Sequence, residues 1–110
     1  MNQWFLLAVA IGSEVVATSA LKASDGFTRL GPALIVVAGY AVSFFFLSLT
    51  LRYIPIGIVY AVWAGVGIVL IASAGWLLFG QQLDIPALAG ICLIVSGVVV
   101  IRVFSKTASL

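Results

Sequence analysis

Four apolar runs, each long enough to cross a lipid bilayer, follow one another with only a few polar residues between them. They cover about 4–21, 32–51, 57–79 and 86–104. At about 1.5 Å of rise per residue, each run spans roughly the 30 Å hydrocarbon layer as a helix. None shows the polar/apolar alternation that a barrel strand requires. The composition agrees: 65% of the 110 residues are hydrophobic and 7% charged, where soluble domains carry about 25% charge. The expected class is an all-α membrane protein, one domain of four transmembrane helices over residues 1–110. The first residues carry no basic segment ahead of an apolar one, so the first helix is expected to be retained. With four crossings, both termini lie on one side of the membrane.

The breaks carry the punctuation of helix ends. Lys22 to Arg29 forms the first, with three charged side chains and Gly26. Pro32 then opens the second run and Pro86 the fourth, because proline is tolerated in a first helical turn. Arg52 to Pro55 is the second break, and Gly80 is placed as a stop for the third helix. Net charge is only +2, with the basic residues scattered, so no nucleic-acid partner is expected. With no histidine and one cysteine, Cys92, neither an internal disulfide nor a protein-held metal or cofactor is expected.

Inside the first run sits one carboxylate, Glu14. A charge at mid-bilayer costs from about 3 to more than 10 kcal/mol. Glu14 must therefore face protein or water and is expected to be protonated part of the time. An intramembrane carboxylate is a functional-site candidate by default. Leu7, Ala10, Glu14, Thr18 and Leu21 share its face at spacings of three and four. Small neighbours (Ala10, Ser13, Ala17, Thr18) leave room there for another helix or for a ligand.

Trp4, Tyr53 and Trp76 fall near helix ends and read as interfacial anchors. Tyr40, Tyr60 and Trp63 lie inside the second and third runs, where a polar tip needs a partner, so binding and packing roles are both open for them. Gly65 and Gly67 put two glycines in the middle of the third helix, as a hinge or as a close packing point. On the fourth helix Gly90 and Gly97, seven apart, share a face that admits another backbone, so this helix reads as an assembly element. Four helices line a site thinly. Self-association is expected, and it would bring two copies of Glu14 together.

These features together resemble the bacterial small multidrug resistance transporters over essentially the whole chain. The matching residues are Ser13-Glu14-Val15-Val16-Ala17-Thr18, Lys22 with Gly26-Phe27-Thr28-Arg29, Tyr40, and Tyr53-Ile54-Pro55 leading into Gly57-Ile58-Val59-Tyr60-Ala61-Val62-Trp63. Gly65-Val66-Gly67, Gly80-Gln81, Leu83-Asp84 and the seven-spaced glycines complete the set. Tyr40 and the Gly80–Asp84 break are similar to the branch that exports quaternary ammonium compounds. The guanidinium exporters tend to carry a tryptophan shortly after the glutamate, where Val16 and Ala17 stand here. Departures are Ala17 for a frequent glycine, Trp4 for a tyrosine, Phe45 for a tryptophan and Gln82 for a basic residue.

The resemblance implies an antiparallel homodimer of the bacterial inner membrane that exchanges protons for hydrophobic cations and so confers drug and biocide resistance. It implies Glu14 as the shared proton and cation site. Ala10, Thr18, Tyr40, Phe44, Tyr60 and Trp63 surround the cation, Gly65 and Gly67 form the hinge, and Gly90, Leu93, Ile94, Gly97 and Val98 make the dimer contact. No cofactor and no bond-making chemistry are needed, so the chain is not expected to be an enzyme. The alternatives are a guanidinium or polyamine exporter of the same family and a non-transporting membrane assembly protein.

Overall fold

The computed structural model describes residues 2–106. Within them the chain forms α1 (Gln3–Ala23), α2 (Leu30–Thr50), α3 (Ile56–Phe79) and α4 (Ile85–Phe104). All four are long and apolar enough to cross a membrane. Every expected boundary is met within two residues. The largest differences are at the first break. α1 runs on through Lys22, a basic residue in its last turn, where the carbonyl end of the helix favours positive charge. α2 begins at Leu30, so Pro32 is its third residue rather than its first. Both places lie in the first turn, where a backbone N–H has no helical partner to lose.

The ends are fixed by local chemistry. The Asn2 side chain accepts from the Trp4 N–H at 2.8 Å and caps α1. Asp25, Gly26 and Phe27 then take φ of 49°, 68° and 66°, a left-handed run that reverses the chain. Buried Ser24 steadies this turn: its Oγ donates to the Leu21 carbonyl at 2.7 Å and accepts from the Phe27 N–H at 3.1 Å. Gly80 ends α3 in the left-handed region, with its N–H on the Trp76 carbonyl and the Gln81 N–H on that of Gly75. Asp84 caps α4 by accepting from the Ala87 N–H at 3.0 Å, with Pro86 in the first turn.

The chain divides into two compact units, one holding α1 and α2 and the other α3 and α4. In the first, Ala10 meets Ser43 while Thr18 meets Tyr40, so the two helices run antiparallel. α1 buries Leu6, Leu7, Ala10, Ile11 and Ala17; α2 buries Val36, Ser43 and Thr50, a stripe repeating every seven residues. The helices approach closely at Gly39. A Cβ there would stand 2.8 Å from the Ala17 Cβ and 3.2 Å from the Ser13 carbonyl oxygen. We expect Gly39→Ala to destabilise the α1–α2 pair by about 1–3 kcal/mol, the usual cost of forcing a methyl into a full contact. Unfolding in mixed detergent micelles, read by circular dichroism, checks this. The outer face of α2 is apolar and open at Leu34, Val37 and Phe45, as a lipid-facing surface is.

In the second unit α3 is an unbroken helix. A Cβ on Gly65 would overlap the Val98 side chain of α4, so this glycine lets the two helices meet. At Gly67 an added Cβ would meet the Trp63 ring at ordinary contact distance, 3.5 Å from its Cδ1. α4 has no buried residue at all.

Candidate functional site

Four of the six residues expected around Glu14, namely Ala10, Thr18, Tyr40 and Phe44, lie on one stretch of the α1–α2 pair. Glu14 is half-buried on α1, between Ala10 one turn before it and Thr18 one turn after. The Thr18 hydroxyl donates to Glu14 Oε1 at 2.7 Å. From α2, the Tyr40 hydroxyl lies 2.7 Å from the same Thr18 oxygen. Tyr40 in turn stacks on Phe44, with ring centroids 6.0 Å apart and planes inclined by 19°. Phe44 is 59% exposed, so one face of this ring pair remains available to a ligand or to another helix. Five of the expected residues (Ala10, Glu14, Thr18, Tyr40 and Phe44) thus occupy one neighbourhood.

The helix spacing explains why. On α1 positions 10, 14 and 18 recur every four residues and so stack along one face, and on α2 positions 40 and 44 do the same. Antiparallel pairing then needs only one register to bring the two faces together, and the Gly39–Ala17 approach supplies it.

Ser43 belongs to this neighbourhood although sequence reasoning passed over it. Its buried hydroxyl donates to the Ala10 carbonyl at 2.7 Å. In an α-helix that carbonyl is the acceptor of the Glu14 N–H four residues on. Ser43 therefore ties α2 to the turn of α1 that carries the carboxylate. Side-chain hydrogen bonds between membrane helices average only about 0.6 kcal/mol, so this bond sets register more than it adds stability. The signal that could have found it is a pair of small residues four apart, Gly39 and Ser43, on one face of α2.

Tyr60 and Trp63 stand on α3, in the second unit. Tyr60 is 72% exposed, and Trp63 is half-buried against Gly67. Of the two glycines expected as a hinge, Gly65 has its space taken by Val98, whereas an added Cβ at Gly67 would only touch the Trp63 ring. Of the residues expected at a dimer contact, Gly90 and Gly97 have nothing within 4 Å of an added Cβ. Leu93 and Ile94 are exposed, whereas Val98 packs against Gly65 of its own chain. A separate cavity of about 510 Å³ lies between the end of α3 and the start of α4, lined by Val69, Trp76, Gln81, Leu88 and Ile91 among others. It contains none of the expected site residues.

A membrane-embedded helix pair with a lone carboxylate, hydroxyl donors and a ring pair beside it defines a class: a site where a proton or an organic cation can sit inside a bilayer. Comparison with known proteins gives the family. The family model described as Small Multidrug Resistance protein matches residues 2–94. The chain is 58% identical over 109 residues to the quaternary ammonium compound-resistance protein QacF of Klebsiella aerogenes, with 99% of each chain covered. It is 52% identical over 109 residues to the quaternary ammonium compound-resistance protein QacE of Escherichia coli, again over 99% of each. Identity to the multidrug transporter EmrE of Escherichia coli K12 is 49% over 107 residues, 97% of each chain. The chain belongs to the Small Multidrug Resistance family.

Proposed function

We propose that the chain is a proton-coupled antiporter of the bacterial inner membrane. It exports hydrophobic quaternary ammonium and aromatic cations, and works as an antiparallel homodimer in which each chain contributes one four-helix membrane domain. The observation that carries this is Glu14, a carboxylate in the middle of a membrane-length helix whose partners are the Thr18 hydroxyl and, through it, Tyr40. Lys22, the nearest basic residue along α1, is eight positions on, about 12 Å of helix at 1.5 Å per residue. The names of the relatives, quaternary ammonium resistance and multidrug transport, support the choice of cargo.

The mechanism follows from competition. A carboxyl group inside a bilayer is tolerated either with a proton on it or with a cation beside it. Proton and cation therefore exclude one another at Glu14. Aromatic faces hold a cation by their quadrupole, worth about 2 kcal/mol or more where water is absent. Tyr40, Phe44, Tyr60 and Trp63 are the rings assigned to this work. A dimer supports the scheme because α4 has no buried residue and its Gly90–Gly97 face is open to another backbone. Two opposed copies form inverted repeats, the arrangement around which many transporters alternate access. Gly65 and Gly67 are assigned as the point where α3 bends during that exchange. If only one side is open at a time, proton entry drives cation exit, and no covalent bond changes.

The test is flux into proteoliposomes under an imposed pH gradient, with tetraphenylphosphonium, a long-chain quaternary ammonium and guanidinium compared. The first two should move against the proton gradient and guanidinium should not. Guanidinium movement alone would make the chain a guanidinium exporter, and no movement of any cation would leave only an assembly role. Within the same assay Trp63→Ala should weaken tetraphenylphosphonium binding by up to roughly 30-fold, the equivalent of about 2 kcal/mol. Unchanged binding in a folded variant would reduce Trp63 to packing.

A further inference from the structure

We infer that Tyr40 is a positioning residue that acts on Glu14 through Thr18, as the far end of a hydroxyl relay whose direction is set by the protonation of Glu14. The inference rests on the reading of Glu14 as the proton and cation site and adds to it a way for α2 to register which of the two is bound.

The geometry leaves little freedom. Three oxygens on two helices form a chain with two consecutive contacts of 2.7 Å, Glu14 Oε1 to Thr18 Oγ1 and Thr18 Oγ1 to Tyr40 Oη. A threonine hydroxyl has one proton to give, and an ionised carboxylate only accepts. When Glu14 is ionised, the Thr18 proton is committed to the carboxylate. The contact between Thr18 and Tyr40 can then be a hydrogen bond only if the phenol is the donor. The relay runs from Tyr40 to Thr18 to Glu14, and both bonds gain from the charge at its end. When Glu14 is protonated, the acid O–H is itself a donor. Thr18 is released to donate to Tyr40, the relay can reverse, and the phenol proton is freed.

The consequence is structural. In the ionised state, the one that accepts a cation, Tyr40 is held by a charge-assisted chain, and with it the ring stacked on Phe44. In the protonated state a weaker neutral contact holds the same ring. The aromatic wall is therefore fixed in place by the same event that creates the negative charge. Tyr40 is itself the titratable group that α2 brings to this chain; the others of the pair stand at the helix ends, with Lys22 in the last turn of α1, Asp25 and Arg29 in or next to the following turn, and Arg52 after α2.

The experiment uses the full chain in detergent and reads the infrared carboxylate band of Glu14, isolated by subtracting the Glu14→Gln spectrum. Tyr40→Phe removes only the hydroxyl and keeps the ring, and Thr18→Val removes the middle of the relay. Both should shift the band, although Tyr40 does not touch Glu14. The double variant should match Thr18→Val alone, and Thr18→Ser should restore the native band. Under alkaline conditions, tetraphenylphosphonium affinity should fall roughly tenfold in each single variant, about 1.4 kcal/mol, and no further in the double. A band unmoved by Tyr40→Phe, or losses that multiply in the double variant, would overturn the relay. If Thr18→Val does not fold, the band in Tyr40→Phe decides alone. Failure of the Glu14 reading is a separate result, pH-driven flux in Glu14→Gln, and it leaves the band shifts standing.

Discussion

Glu14→Gln will abolish cation flux driven by a pH gradient and leave the protein folded. The amide is almost the same size as the carboxyl and its oxygen can still accept from Thr18. The packing on either side, Ala10 with Ser43 and Ala17 with Gly39, does not involve the carboxyl group. What the substitution removes is the ability to carry a charge or take a proton, and with it both competitors' common place. Flux should fall to the level of empty liposomes. Glu14→Asp keeps the acid but is one methylene shorter, so the carboxylate draws away from Thr18, and partial transport should remain. Full flux in the glutamine variant, measured in proteoliposomes at equal protein content, would remove Glu14 from the mechanism.

The second large effect concerns orientation. Membrane insertion follows the imbalance of Lys and Arg between the two sides. With four crossings, Arg52, Arg102 and Lys106 share one side, and Lys22 and Arg29 the other. The difference is a single charge, and it stays so when Lys22 and Arg102, one from each side, are set aside because they lie in the last turns of their helices. A chain so balanced should insert both ways, and two opposed copies would supply the inverted halves that alternating access needs. Adding basic residues to one side alone should therefore fix one orientation and lose nearly all transport. Co-expressing two oppositely fixed versions should restore it. A cysteine engineered at the C-terminus, in a background lacking Cys92, should be labelled from both sides of the membrane in the native-charge protein. Labelling from one side only would leave a parallel dimer of fixed topology.

The four helices were legible in the sequence because bilayer length and hydropathy act on each run separately, and because Gly80, Asp84 and Pro86 mark ends by local chemistry that needs no tertiary context. The face holding Ala10, Glu14 and Thr18 was legible for the same reason, as helical period alone places those residues together. Its partners across the interface were less so. Which residue of α2 stands opposite Thr18 depends on register, and register is set by the close approach of Gly39 to Ala17. That Tyr40 meets Thr18 could therefore be read only once the helices were seen together. Ser43 was missed because a serine in an apolar helix has ordinary uses, including bonding to its own helix, as Ser73 and Ser96 do here. The glycines of α3 show the opposite case. Their presence was plain, but that Gly65 admits Val98 while Gly67 is not tightly packed could be read only from neighbours in space.

Proton release on cation binding tests the competition at Glu14 most directly. Tetraphenylphosphonium is added to the purified, weakly buffered protein across a series of pH values, and the protons liberated are counted against the cation bound. Native protein should release protons wherever Glu14 begins protonated, with cation affinity falling as the pH is lowered through that range. Glu14→Gln should release none. Cation binding that is equally tight across the series and liberates no protons would contradict a shared site.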